Sequence, residues 1–301
     1  MSQETVPSLC FLRALRAFVE NRSLLHRIWN RWFGEPLRKI EAESLAFRHS
    51  EAGQRLDSKT ITVILIAAAC LTIQNYAMAP DRCIPLCGFV AEQVSGPEAR
   101  KEVAATLRAW TSDQSTRLPW FGICAILTYT VLPMFAIKVV FRENLLDYGL
   151  AIRGVIADWP VYAAFACIMV PLVGLFSGEE RFQDIYPFYR IQSRDEVGSI
   201  FFRWEVIYAL QFVALEFFFR GFMVHGTKHR FGAYAVFVMV LPYCMIHYHK
   251  PWPEACGSIL AGVGLGVVSL VTRSIWPGAT LHIMVAWGMD FSSLWRRGMI
   301  G

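Results

Sequence analysis

Charge is what this sequence has little of. Only 18% of its 301 residues are Asp, Glu, Lys or Arg, where a soluble domain carries about a quarter, and a fully solvated globule is therefore excluded. No secretory signal peptide is read at the start, because Arg13 and Arg16 interrupt the first apolar residues. The eight cysteines form no C-x-x-C pair and no zinc-finger spacing, which removes the usual structural zinc sites. Nor does any H-E-x-x-H stretch place two histidines on one helix face as familiar metalloproteases do. Internal repeats and Pro-rich or low-complexity linkers are absent too, leaving one integral-membrane domain with a tail.

Hydrophobic residues make up 55% of the chain, and the mean hydropathy is +0.38. Runs long enough to cross a bilayer, about 17 to 25 residues each, occur near 60–79, 121–140, 160–177, 201–225, 233–248, 255–272 and 278–293. The expected fold is all-α: a polytopic helical membrane protein with about seven to eight transmembrane helices and an N-terminal amphipathic interfacial helix. Residues 1–58 form a cytoplasmic or interfacial segment in this reading, and residues 59–301 the transmembrane domain.

The tail has its own pattern. With residues 9–33 helical, Phe11, Leu15, Phe18, Leu25, Trp29 and Trp32 share one face and Arg13, Arg16, Arg27 and Arg31 the other. That suits a helix lying in the interface, with a partner helix packed on the first span as the alternative. The net charge of +5 needs no nucleic-acid partner, since roughly a third of the basic residues precede the first span. It reads as a positive-inside signal that puts the N-terminus in the cytoplasm, most simply of a bacterial inner membrane. Alternation then places residues 80–119 in an outer loop, where Cys83 and Cys87 are either bridged or both free.

Ionisable residues inside apolar spans are expensive and mark function by default. Glu216 and Arg220 stand four apart in "VALEFFFRGFMVHG" with the acid first, the order that favours a helical ion pair. Glu205 shares their stripe but lies about three turns away, and is read as an interfacial acid. In "YCMIHYHKPWPE" Tyr243 and His247 share a face, whereas His249 points elsewhere. The turn near Arg230 to Gly232 is midway between 216 and 247, so an antiparallel pair of helices brings Glu216 and His247 to one depth. His282, in "SIWPGATLHIMVAWGMD", reaches that depth if residues 274–281 dip back as extended chain around Trp276-Pro277-Gly278.

In order and spacing, "EFFFRG", "YCMIH" and "SIWPGATLH" resemble the three motifs of the CPBP intramembrane protease family, E-E-x-x-x-R, F-x-x-x-H and H-x-x-x-N or D, over a core of about residues 200–292. That family includes type II CAAX prenyl endopeptidases, bacteriocin-immunity and processing proteins, and enzymes that cleave C-terminal sorting signals. Three positions depart from it: Leu215 replaces the first Glu, to which the family usually gives general-base work, Tyr243 replaces Phe, and Ala286 stands where Asn or Asp is expected. Asp290 is too far round the helix from that position to replace it. The resemblance implies an endopeptidase acting on membrane-associated proteins near their C-termini. Glu216, held in check by Arg220, then activates water, and His247 and His282 orient the water and stabilise the oxyanion. The expected partners are the lipid bilayer and a membrane-associated protein or C-terminal peptide, with no cofactor and no metal. Two His and one Glu also match a zinc triad with a free water position, and the loss of Leu215's and Ala286's motif identities leaves room for a noncatalytic scaffold or immunity protein.

Overall fold

The computed structural model describes residues 26–27, 29–77, 80–152, 159–248, 250 and 252–301. Every regular element among them is helical, as spans that satisfy their own backbone hydrogen bonds must be in lipid. The principal helices are α1 (Glu35–His49), α2 (Ser58–Ala77), α3 (Pro80–Ser95), α4 (Pro97–Ser112), α5 (Gln114–Phe135), α6 (Trp159–Phe176), α7 (Phe202–Glu216), α8 (Ala235–Met245), α9 (Trp252–Thr272) and α10 (Trp276–Arg296).

Among the described residues, four stretches are long and apolar enough to cross a membrane: Ser58–Tyr76, Gln114–Val140, Phe202–Met245 and Glu254–Thr272. The third is 44 residues long and doubles back, since the continuation of α7 packs against α8. The reversal is made at Gly232, whose φ of +56° few side chains tolerate. Of the other expected spans, α6 is an 18-residue helix with no charged side chain, and α10 is too polar to join the four.

Two readings change at the ends of the bundle. The expected outer loop at 80–119 is a helical hairpin of α3 against α4; α4 carries Glu98, Arg100, Lys101, Glu102 and Arg108, so hydropathy alone passes over it. Cys87 there is a free, exposed thiol, while the side chain of Cys83 lies outside the described residues. Of the expected interfacial helix, Phe11, Arg13, Leu15, Arg16, Phe18 and Leu25 lie outside the described residues. Trp29, exposed and stacked on Phe33 at 4.8 Å, belongs to the helical stretch that leads into α1. α1 itself packs on the turn Gly226–Phe231: Ser44 Oγ donates to the Arg230 carbonyl at 3.1 Å, Glu41 accepts from Ala233 N–H, and Arg230 donates to the Gly53 carbonyl. It caps this end of the bundle.

The same end is tied together by an ion pair and a histidine–carboxylate hydrogen bond. Lys59 meets Glu143 at 2.7 Å, and His229 meets Asp57 at 2.8 Å. Burial pushes the Glu143 carboxyl up, but hydrogen bonds from Lys59 and the Tyr148 hydroxyl outweigh it and hold its pKa below the usual range. Asp57 is likewise pushed up by burial and drawn lower overall by Thr60 and His229.

The core forms around the continuation of α7. After Glu216 the backbone widens into π-type turns over Phe217–His225, and every side chain in that stretch is buried. Phe217, Phe218, Phe219 and Phe222 pack with Val63 and Cys70 of α2, Tyr129 of α5 and Met239 and Tyr243 of α8. So large an aromatic block fixes the helix against three neighbours. Wide turns of this kind are rare and gather at functional sites.

Candidate active site

Glu216 is the hub. Its side chain is fully buried, its Oε1 lies 2.9 Å from Arg220 Nη1 and 2.8 Å from His282 Nδ1, and Arg220 is as buried as Glu216. The i, i+4 spacing delivers Arg220 from the same helix face, whereas His282 arrives from α10, which packs against α7. On its other side the guanidinium lies over the ring of Tyr243, Cζ to centroid 4.2 Å, a cation–π contact that offsets some of the desolvation of the charge.

Tyr243 links the histidines. Its hydroxyl is 3.1 Å from His282 Nε2, its carbonyl accepts from His247 Nδ1 at 2.8 Å, and its ring centroid is 4.9 Å from that of His247. The two His282 ring nitrogens thus face Glu216 on one side and the Tyr243 hydroxyl on the other. The ring of Phe212 stacks on His282 at 5.3 Å. Thus Glu216, Arg220 and His282 are in direct contact, and His247 joins them through Tyr243. His225 is elsewhere, bonded to Ser269 Oγ at 3.2 Å and to Lys228 at 3.1 Å; His229 is held by Asp57, and His249 lies outside the described residues.

His282 gets its depth differently from the expected route. Residues 274–281 are not an extended dip: α10 starts at Trp276, with Pro277 in its first turn, where a missing N–H costs nothing. The turn before it is drawn into the bundle instead. Ile275 N–H donates to the Gly149 carbonyl at 3.0 Å, Trp276 Nε1–H to the Leu150 carbonyl at 3.3 Å, and a Cβ on Gly221 would meet the Tyr148 carbonyl oxygen at 2.7 Å. About six helical residues, roughly 9 Å of rise, then bring His282 level with Glu216.

Sequence reasoning passed over two features. Gly278 lies against the Glu216 carboxylate so closely that a Cβ there would overlap Oε2 and come within 2.7 Å of Cδ. Its signal was available, since 278 and 282 are one turn apart on the same face. The second is the packing of Glu205, which is buried in the first turn of α7. Its carboxyl interacts with that of Asp290 from α10, and Asp290 Oδ1 accepts the Phe188 N–H at 2.9 Å. Counting along α10 from position 286 could not find a partner on another helix. Ala286 is buried in the aromatic cluster of Phe201, Trp204 and Tyr208, and Leu215 packs in the core.

The contacts at Glu216 are close electrostatic approaches. Both Glu216 oxygens, the three Arg220 nitrogens and His282 Nδ1 are buried without an aligned hydrogen bond, so each has capacity for a further polar partner. A metal does not fit this donor set: among the described residues no three His, Cys, Asp or Glu side chains are grouped to hold one, and Arg220 flanks the same Glu216 oxygen that His282 approaches.

Residues 197–288 match the sequence model of the family described as type II CAAX prenyl endopeptidase Rce1-like. The matched stretch is about a third of the chain and contains Glu216, Arg220, Tyr243, His247, Gly278 and His282. It agrees with the CPBP resemblance, and the Rce1-like match indicates a protease, hence a hydrolase, carried on membrane-spanning helices. No curated protein and no solved structure matches the chain.

Proposed function

We propose that the chain is an intramembrane endopeptidase in which Glu216 activates the attacking water. The observation that carries this is the meeting of Arg220 Nη1 and His282 Nδ1 on one fully buried carboxylate, at 2.9 and 2.8 Å. A buried Glu–Arg pair alone is weak evidence for anything but local structure. An imidazole on the same oxygen, tethered on its far side by a tyrosine, adds a group that can donate and accept.

The chemistry closes with these residues. Glu216 takes a proton from water as the hydroxide oxygen bonds to the scissile carbonyl carbon, and the carbonyl π electrons pass to its oxygen. His282 and His247 orient the water and donate to that oxyanion, while Arg220 holds the Glu216 carboxylate in place. Collapse re-forms the carbonyl, breaks the C–N bond and returns the proton from Glu216 to the leaving amine. One carboxylate is sufficient, so Leu215 in the place of a motif Glu does not forbid the reaction. The His282 side chain is 20% exposed while Glu216 is closed off, so substrate approaches past the histidine.

The substrate is a membrane-associated protein cut near its C-terminus, a reading supported by the Rce1-like match. The N-terminus lies on the cytoplasmic side of a bacterial inner membrane, as the basic residues ahead of α2 favour. The deciding experiment compares the membrane-protein C-termini of intact cells carrying wild-type or Glu216→Gln protein. Substrates should keep their C-terminal segments in the variant; unchanged processing overturns the mechanism and favours a noncatalytic scaffold.

A further inference from the structure

The end of the bundle capped by α1 holds a cavity that the proteolytic reading does not use. Its volume is about 310 Å³, and it is lined by Arg31, Glu35, Lys39, Ile40, Leu270 and Arg273 together with Pro36 and Val271. Leu270 and Val271 lie in the last turn of the Glu254–Thr272 span, so the opening sits where hydrocarbon gives way to headgroups. One side of the lining is therefore apolar and the other basic.

Three cations face one anion. Glu35 is the anion, one turn after Arg31 where the helical stretch from Asn30 continues into α1. Among the described residues Arg31, Lys39 and Arg273 make no ion pair with any acid, although the same end of the chain pairs Lys59 and His229 closely. Arg273 follows the last residue of α9 at φ +56°, a left-handed helix-ending position that usually takes glycine.

We infer that this cavity binds the headgroup of an anionic phospholipid, its phosphate on Arg31, Lys39 and Arg273 and its glycerol end against Ile40, Leu270 and Val271. The excess of positive charge sets the sign of the ligand, and the position at the end of a span makes a membrane lipid its source. Basic pockets between helices at a membrane face are the setting in which such headgroups are held. Arg273 is three residues before Trp276, where the helix bearing Gly278 and His282 begins, so a bound phosphate also steadies the turn at the base of α10. The inference does not depend on the protein being a protease.

The test uses the full chain in nanodiscs of phosphatidylcholine with a minor fraction of phosphatidylglycerol, and counts retained lipid by native mass spectrometry. Wild type should retain phosphatidylglycerol over phosphatidylcholine, with a loss of roughly fivefold for each cation removed in Arg31→Gln, Lys39→Gln and Arg273→Gln, and a gain in Glu35→Gln. Arg273→Gly separates ligand binding from folding, because glycine relieves the positive φ: its thermal stability should equal or exceed that of wild type while lipid retention falls. Inorganic phosphate at millimolar concentration should not displace the lipid. Equal retention by wild type and Arg273→Gly overturns the proposal, as does displacement by inorganic phosphate, which would make the ligand a free anion.

Discussion

The carboxylate of Glu216 rests on the backbone of Gly278, one turn before His282, with no room for a Cβ between them. This contact, more than the ion pair, sets where the carboxylate stands, because Arg220 is on the same helix as Glu216 and moves with it. The glycine is on the other helix and acts as its stop. Gly278→Ala should therefore displace Glu216 from His282 by a fraction of an ångström to an ångström. Misplacement on that scale costs on the order of 100-fold in rate, whereas the overpacking costs about 1–3 kcal/mol of stability. Peptide-cleavage assays on folded, detergent-purified variant should show the large loss alongside a modest drop in melting temperature.

The buried pair itself can be separated into fold and function. Glu216→Gln leaves Arg220 charged, buried and short of its counterion, and Arg220→Met leaves Glu216 in the same position. Removing one partner of such a pair costs about 3–5 kcal/mol, while replacing both by groups of similar shape is often neutral. The double variant Glu216→Gln/Arg220→Met is therefore expected to be more stable than either single variant, and fully inactive. A thermal-melt cycle measures the coupling directly; additive losses would mean the two side chains do not share their charge.

Much of this site is legible in the sequence, and the rest has identifiable reasons for being hidden. The i, i+4 spacing of Glu216 and Arg220 and the symmetric distances of 216 and 247 from the Gly232 turn are local quantities, so counting along the chain finds them. Glu205 and Asp290 meet across α7 and α10, and no count along one helix can show that. The π-type turns over Phe217–His225 depart from the 3.6-residue period on which every face assignment was based. The helical hairpin of α3 and α4 escaped because only apolar runs were scored, and charged helices make none.

Tyr243 offers a graded test of the histidine link. Tyr243→Phe restores the motif's usual residue and keeps the ring under Arg220, deleting only the hydroxyl at 3.1 Å from His282 Nε2. A neutral hydrogen bond is worth about 0.5–1.5 kcal/mol, so activity should fall roughly two- to tenfold with stability little changed. His282→Ala and His247→Ala should abolish cleavage. His225→Ala should lower the melting temperature and spare the catalytic rate, since among the described residues His225 bonds to Ser269 and Lys228, away from Glu216. Equal inactivation by His225→Ala would place the active centre lower in the bundle.

The acid limb of stability is set outside the spans, at the end where Lys59 meets Glu143. Burial raises the Glu143 pKa and the Lys59 and Tyr148 hydrogen bonds lower it further than that, so its folded value lies below the unfolded one; Asp57, bonded to Thr60 and His229, is shifted in the same direction. For a carboxylate with a depressed folded pKa, the unfolded chain takes up the proton first as pH falls. The stabilisation is complete above the unfolded value, about 4.3 for Glu and 3.9 for Asp, and is lost as pH drops through the lower folded value. The melting temperature of the protein in nanodiscs should accordingly be flat with respect to these two groups from about pH 7 to pH 5 and decline below about pH 4. Glu143→Gln should lower the plateau and flatten the decline, because the variant has no proton to gain at that position. Lys59→Met removes the partner and lets burial raise the folded pKa of Glu143 toward the unfolded value, so it should lower the plateau and make the decline shallower. A Glu143→Gln protein that still lost stability over the same interval as wild type would transfer the acid limb to Asp57, where Asp57→Asn repeats the measurement.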